Sequence, residues 1–573
     1  MDAEGFLTQR LLRGFSRRLN NLKISRMARR VAAAAPAPQG RPVVFFKAST
    51  GIDDLSWNSG FHLLASWALR LKGIPVAYFV CGAGMSPCVL GTNRDHVHQA
   101  PPCGSCMYQS RVLYTGVPGL DERSAANSLP GSRAHWFGME RDPALENALR
   151  DLSLNELAEF KWTGNLGPAA PAAAHRSSPG AEVKPEEPPD TVELGALCLP
   201  SMRWILRRHN LNDDKDSLFL LRQYMLSAWN VARQFSKFLD VVNPRAVVVF
   251  NGQYYPEAVA RHVARRRGLR VVTHEVGLQP ASAFFTDGEA TAYPMHIPAD
   301  FELTEAQNSR LDAYLEQRFR GKFTMAGMEF WPEMRGLGHE FLAKVQEFSQ
   351  IVPIFTNVVF DTSQSHANTL FPDMFGWLDS VLEAVRLHPE TLFVIRAHPD
   401  EARLRKESRE TVQGWVEANG VGGLRNVEFV GPKEYLSSYE LIERAKFAMV
   451  YNSTIGLEAS IMGKAVLCGG RARYTQLPTV FFPKTAAEHR DWMEQFLAAQ
   501  AIPVPGEFPR NARRFLYFQL FRTSLPFGEF LEPSLRKSQA RLRSFEWKRL
   551  LEADALKAIV SGLVNGVDFL LPE

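Results

Sequence analysis

"VYNSTIGLEASIMGKAVLCGG", residues 450–470, decides the fold class of this chain. The apolar run from Phe447 to Tyr451 reads as a buried strand, and Asn452, Ser453 and Thr454 break it. Gly456 and Glu458 then fall in the first turns of a helix. A second apolar run, Ala465 to Leu467, closes on Gly469 and Gly470. Strand, polar break, short helix and strand form the repeating unit of a parallel α/β sheet. Ligands of such sheets sit beyond the carboxyl ends of the strands, where the break falls. Free N–H groups and the helix dipole favour phosphate there, and the Ser453 and Thr454 hydroxyls add donors. Gly456 is expected to let the backbone approach a ligand closely. Glu458, about one helical turn beyond Thr454, is placed to accept hydrogen bonds from ribose hydroxyls. The plainer alternative makes Ser453 or Thr454 an N-cap with ordinary packing beyond it.

Outward from this stretch the alternation continues. "IVPIFT" (351–356), "LFVIRAHPDE" (392–401) and "NVEFVG" (426–431) read as strands, with helices over 374–387 and 435–445. Arg396, His398 and Pro399 fall at a strand end in the same block. Pro399 holds the loop extended, so Arg396 offers a fork of donors and His398 a titratable imidazole beside the same phosphate. An earlier block repeats the pattern: "PVVFF" (42–46), a helix at 60–73, "IPVAYFV" (74–80), "AVVVF" (246–250), a helix at 256–267 and "RVVTHE" (270–275). The expected fold is α/β with two Rossmann-like domains facing a cleft. The expected boundaries are 1–40 for a basic N-terminal helix and linker, 41–335, 336–506, and 507–573 for a helical tail. A Pro-, Ala-, Ser- and Glu-rich insertion occupies 163–190.

"IRAHPDE" followed by "VYNSTIGLEASIMGKAVLCGG" resembles bacterial capsule-polysaccharide and lipopolysaccharide glycosyltransferases of the GT-B fold, among them the capsule Kdo transferases. The resemblance covers roughly 351–482, with "VVVFNGQYYPEAVARHVARRRGLRVVTHEVG" (247–277) matching in layout. It implies transfer of a sugar from a nucleotide-activated donor to a surface glycan or glycolipid acceptor. Arg396, His398, Ser453 and Thr454 would hold the donor phosphate beside Asn452, and Glu458 would face the ribose or base. A base for the acceptor hydroxyl would come from the first block. Glu275 ends a strand there, with Asn251 and Gly252 lining the same region. Asp53 and Asp54 in "KASTGIDD" compete with Glu275 for that role. No D-x-D stands where a divalent-metal-dependent transferase of the other major fold would carry it, so no catalytic metal is expected. A sugar-nucleotide epimerase of the same fold and a non-catalytic nucleotide- or glycan-binding partner in a capsule assembly complex are the alternatives.

Cys81, Cys88, Cys103 and Cys106 pair a C-x6-C with a C-x2-C, the latter a zinc-knuckle spacing. They read as a structural zinc site, with His96 and His98 as spare ligands, or as free thiols. Residues 6–31 line Leu7, Leu11, Phe15, Leu19 and Leu22 along a helix rich in arginine. Such a helix lies on an anionic membrane or docks on its own protein. The tail reads as a helix crossing back to the first block, or as a membrane patch. The chain has 573 residues, 45% hydrophobic and 22% charged, enough for two or three domains. A net charge of +5 gives no argument for nucleic acid, and no apolar run reaches the roughly 18 residues of a membrane span. With six cysteines and no secretory pattern, the expected location is the cytoplasm, with peripheral contact to the inner membrane face.

Overall fold

The structure is a computed structural model that describes all residues except 1–2, 48–51, 53, 116–131, 169–189, 321–323, 326–327, 330–335, 405, 435 and 537. Asp53 and most of the 163–190 insertion therefore lie outside the described residues. The two ends of that insertion are clasped by an antiparallel pair, Trp162–Thr163 against Thr191–Val192. The chain divides into two units. The first is Met1–Ile205, Asn212–Tyr293 and Arg522–Glu573, and the second is Leu206–Leu211 and Pro294–Phe521.

In the first unit, β1 (Val43–Lys47), β2 (Val76–Cys81), β3 (Ser132–Phe137), β4 (Ala246–Phe250) and β5 (Arg270–Val276) are parallel. Their spatial order is β3-β2-β1-β4-β5. All five residues of β1 are buried, the mark of a parallel strand covered on both faces. Strand β6 (Ser282–Thr286) folds back antiparallel on β5, and the short strand Leu525–Pro526 adds to its edge. Helix α1 (Ala3–Ala34) docks Ile24, Met27, Ala28 and Val31 into this unit's core, beside Leu556, Ile559 and Leu563 of the helix Asp554–Asn565. Its opposite side leaves Leu11 (73%), Phe15 (64%) and Leu22 (61%) exposed. One face of α1 is thus a packing element, and the other presents the leucine and phenylalanine stripe to solvent.

The second unit carries a five-stranded parallel sheet. Its strands are β7 (Gln350–Phe355), β8 (Thr391–Arg396), β9 (Val427–Val430), β10 (Ala448–Val450) and β11 (Val466–Cys468), in the order β9-β8-β7-β10-β11. The first strand in the chain is central. The next two build to one side and the last two to the other, so the order reverses between β7 and β10. Trp377, Phe393, Phe447, Tyr451 and Leu467 fill the core.

The unit limits differ from the expected boundaries for identifiable reasons. Residues 294–335 fall in the second unit, where α2 (Glu305–Phe319) supplies Arg318 to a buried ion pair with Glu458. Residues 206–211 join it too, because the Glu410 carboxylate accepts the His209 and Asn210 N–H groups at 2.7 and 3.0 Å. Residues 507–573 are not one helical tail. Those up to Phe521 stay with the second unit, while 522–573 return to the first and include a strand pair, Leu531–Pro533 with Ala540–Leu542. Among the described residues no helix is long and apolar enough to cross a membrane.

Candidate functional site

Sheet register builds the site in the second unit. Phe355 of β7 is level with Arg396 of β8 on one side and Val450 of β10 on the other. Two residues further along each strand direction stand Asn357, His398 and Asn452. Neighbouring strands lie about 4.8 Å apart, so this register sets the three side chains in one row beyond the carboxyl ends. The row spans the point where the strand order reverses, the ligand-binding crevice of open α/β sheets. Asn357 Nδ2 donates to Asn452 Oδ1 at 2.7 Å, tying two of the three together across that point. Asn357 also accepts the Val358 N–H at 2.8 Å, which fixes its amide.

Each expected ligand group in this row has a distinct state. Arg396 is buried, its carbonyl accepting both the N–H and the hydroxyl of Thr356. Burial pulls its guanidinium down to about 10, with the Glu434 carboxylate opposing, so it stays charged at neutral pH. His398 is half-buried and caps the short turn Pro399–Ala402, its Nδ1 accepting the Asp400 N–H at 3.1 Å. That bond leaves the proton on Nε2. Burial lowers the imidazole below its ordinary value, Asp400 opposing and Arg396 reinforcing, so His398 is a neutral donor. Thr454 and Ser453 stand at the start of α3 (Ile455–Ile461), and Thr454 makes no side-chain cap. Among the described residues, His398 Nε2, Asn452 Nδ2 and the Ser453 and Thr454 hydroxyls have no hydrogen-bond partner. Thr454 thus occupies the N-cap position of α3 without spending its hydroxyl on a capping bond.

Two expectations in this segment fail for packing reasons. Glu458 does not face a ribose. It is buried, with Oε1 at 2.5 Å from Arg318 Nη2 and Oε2 accepting the Tyr439 hydroxyl at 2.5 Å. Both oxygens are thus consumed by a buried structural pair. Gly456 does not open the backbone to a ligand either. A Cβ there would stand 2.3 Å from the Tyr474 hydroxyl, which itself donates to the Ser453 carbonyl at 2.8 Å. The glycine admits the tyrosine that holds the 453–456 turn. Glu458→Ala is expected to cost about 3–5 kcal/mol in urea unfolding, because it strands the Arg318 charge in the interior.

The first unit positions its candidate base by the same register logic. Phe250 of β4 is level with His274 of β5, so Asn251 and Glu275 are neighbours one residue on. Asn251 Nδ2 donates to Glu275 Oε2 at 2.8 Å, and the Val276 N–H donates to Oε1 at 2.9 Å. Asn251 and Gly252 take left-handed backbone angles, φ 58° and 85°, which turn the chain sharply after β4. Glu275 is half-buried. Asp54 is no competitor. It is buried, and its carboxylate accepts the Leu55 N–H at 2.8 Å and the Asn20 amide at 3.1 Å, anchoring α1.

Sequence reasoning missed several groups. Asn357 completes the row, yet nothing in "FTNVV" sets it apart from a loop asparagine. Arg207, buried with φ 58° and its guanidinium 4.8 Å from the Phe360 ring centre, belongs to the second unit although it lies far upstream. Its pair with Arg208 was the only available signal. At the end of β1, Lys47 is buried, with burial pulling its ammonium down to about 7 against Glu257. Glu257 in turn is pushed up to about 8 by burial. Among the described residues no group of three or more His, Cys, Asp or Glu side chains is placed to hold a metal ion as it stands. His98 is engaged by Asp216 at 3.2 Å.

No protein-family model matches the chain. It is similar to Protein FixF of Sinorhizobium fredii (strain NBRC 101917 / NGR234), 28% identical over 309 residues. That alignment covers 52% of this chain and 65% of the relative, so the chain spans less than two thirds of the relative's length. Among solved structures, a beta Kdo 2,4 transferase, KpsC of Thermosulfurimonas dismutans, aligns with TM-score 0.32 and 12% identity over 54% of this chain and 87% of that one. The UDP-GlcNAc 2-epimerase of Neisseria meningitidis aligns with TM-score 0.24 and 16% identity over 52% and 81%. Likenesses this weak carry no weight for activity, which has to be argued from the site residues.

Proposed function

We propose that the chain is a glycosyltransferase that moves a sugar from a nucleotide-activated donor to a polysaccharide or glycolipid acceptor. The observation that carries this reading is the row of uncommitted donors at the strand-order reversal: His398 Nε2, Asn452 Nδ2 and the Ser453 and Thr454 hydroxyls, beside the charged Arg396. Donors without protein partners at a sheet's carboxyl edge fit the oxygens of a donor phosphate. As the bond from sugar to phosphate breaks, negative charge grows on the leaving oxygen. Arg396 and His398 stabilise it without reorganising. Glu275, held by Asn251 and the Val276 N–H, takes the proton from the attacking acceptor hydroxyl.

The test is a thermal-shift screen of CMP-, UDP-, GDP- and dTDP-sugars, followed by turnover of the stabilising sugar with and without a glycan acceptor. Release of nucleotide that depends on acceptor supports transfer. Conversion of the sugar without acceptor indicates an epimerase, and binding without turnover a silent partner.

A membrane-borne acceptor accounts for the outward side of α1. Leu11, Phe15 and Leu22 are exposed there with Arg18 and Arg26 beside them, and the arginines complement an anionic lipid surface. Leu11→Ser, Phe15→Ser and Leu22→Ser together are expected to weaken sedimentation with anionic vesicles without changing the melting temperature. Wild-type binding is expected to fall as salt rises. Removing residues 1–34 is not an equivalent test, because it takes Ile24 and Val31 out of the core.

A further inference from the structure

We propose that Cys81, Cys88, Cys103 and Cys106 bind a metal centre through four thiolates. The centre is either one tetrahedral thiophilic ion or an iron–sulfur core. The four side chains come from three separate pieces of chain and line one small cavity. Cys81 ends β2, and Cys88 sits in the loop that follows. Cys103 and Cys106 are one turn apart at the start of the helix Cys103–Thr115. No disulfide joins any of them.

The rest of the lining is apolar: Ala83, Met85, Leu90, Pro101, Pro102 and Met107 among it. An apolar, sulfur-lined wall with no carboxylate or imidazole suits a soft ion or an iron–sulfur core rather than magnesium or calcium.

Two of the sulfurs also accept backbone N–H groups. Cys88 Sγ accepts the Gly91 N–H at 3.2 Å, and Cys81 accepts the backbone N–H groups of Gly84 and Met85. Backbone donors three or four residues beyond a cysteine offset thiolate charge and orient the ligand, as outer-shell donors do in metal sites. Gly91 keeps this turn tight, since a Cβ there would stand 2.6 Å from Pro101 Cβ and 3.1 Å from Cys88 Sγ. The sulfurs surround the cavity without converging on a point. Loading therefore draws them inward, and the thiol protons leave to solvent as the metal–sulfur bonds form. None of the residues that line this cavity belongs to the set assigned to sugar transfer.

The experiment is metal and sulfide analysis of the full chain, purified anaerobically without added metal, beside Cys103→Ser/Cys106→Ser. One zinc per wild-type chain supports the single-ion form. Iron with matching sulfide and visible charge-transfer absorption supports the cluster form. Either metal is expected to be lost in the variant. If the variant does not fold, stripping the wild type with a chelator replaces it, with a fall in melting temperature that zinc or iron and sulfide restore. Wild-type protein that holds neither metal, takes up neither when offered them, and titrates four thiols while folded would overturn the proposal. So would a metal content equal in wild type and a folded variant.

Discussion

Replacing Glu275 by glutamine is expected to cut turnover by about 10²–10⁴-fold, the usual worth of a positioned general base. Nucleotide affinity is expected to stay near wild type, because the groups assigned to the donor phosphate all lie in other segments of the chain. The substitution suits the local geometry. Glutamine keeps an oxygen for the Asn251 amide or the Val276 N–H, so the β5 end holds its shape while the basic lone pair is lost. Asn251→Ala tests the positioning directly. It leaves the carboxylate in place but frees its orientation, and is expected to lower kcat with a smaller effect than Glu275→Gln. Asp53→Asn is the control from the first loop, and is expected to remain active. Asp54→Asn is expected to lower stability instead, since that carboxylate anchors Asn20 of α1. An inactive Asp53→Asn beside an active Glu275→Gln would move the base to the first loop.

The second large effect is expected on the donor side. Hydrogen bonds to a charged phosphate are worth roughly 1.5–3 kcal/mol each, so His398→Ala should weaken nucleotide binding by about 10–150-fold. His398 caps only a four-residue turn, so the fold is expected to survive its loss. Arg396→Ala is expected to lower kcat as well as affinity, because its charge meets the leaving phosphate as that charge grows. Arg396 is buried at the end of β8, so part of its effect falls on stability. Melting temperature measured beside activity separates the two.

The layout of both sheets was legible because parallel strands buried on two faces read as unbroken apolar runs, as in "VVFF" of β1 and "VVV" of β4. The positions of His398 and Asn452 followed from where those runs stop. What stayed hidden depends on long-range pairing. Glu458 looks like a ribose ligand until Arg318, 140 residues away in the chain, is found against it. Gly456 looks like a ligand-facing glycine until the Tyr474 ring fills the space beside it. Asp54 looks like a loop carboxylate until Asn20 donates to it. In each case local pattern named the right segment, and a partner distant in sequence decided the role. Asn357 is the opposite case: an unremarkable loop residue becomes part of the site only through the register of β7 with β8 and β10.

The donor site is the central claim, and calorimetric titration of the full chain with the nucleotide sugar found by the thermal-shift screen tests it most directly. The comparison is wild type against His398→Ala/Ser453→Ala. Both variant groups lie in the donor row, and the hydrogen bond that the His398 side chain accepts is the local one from the Asp400 N–H. The account predicts saturable binding by wild type and a loss of at least about tenfold in the double variant, with an unchanged melting temperature in the absence of ligand. Equal affinity in the two proteins would contradict it.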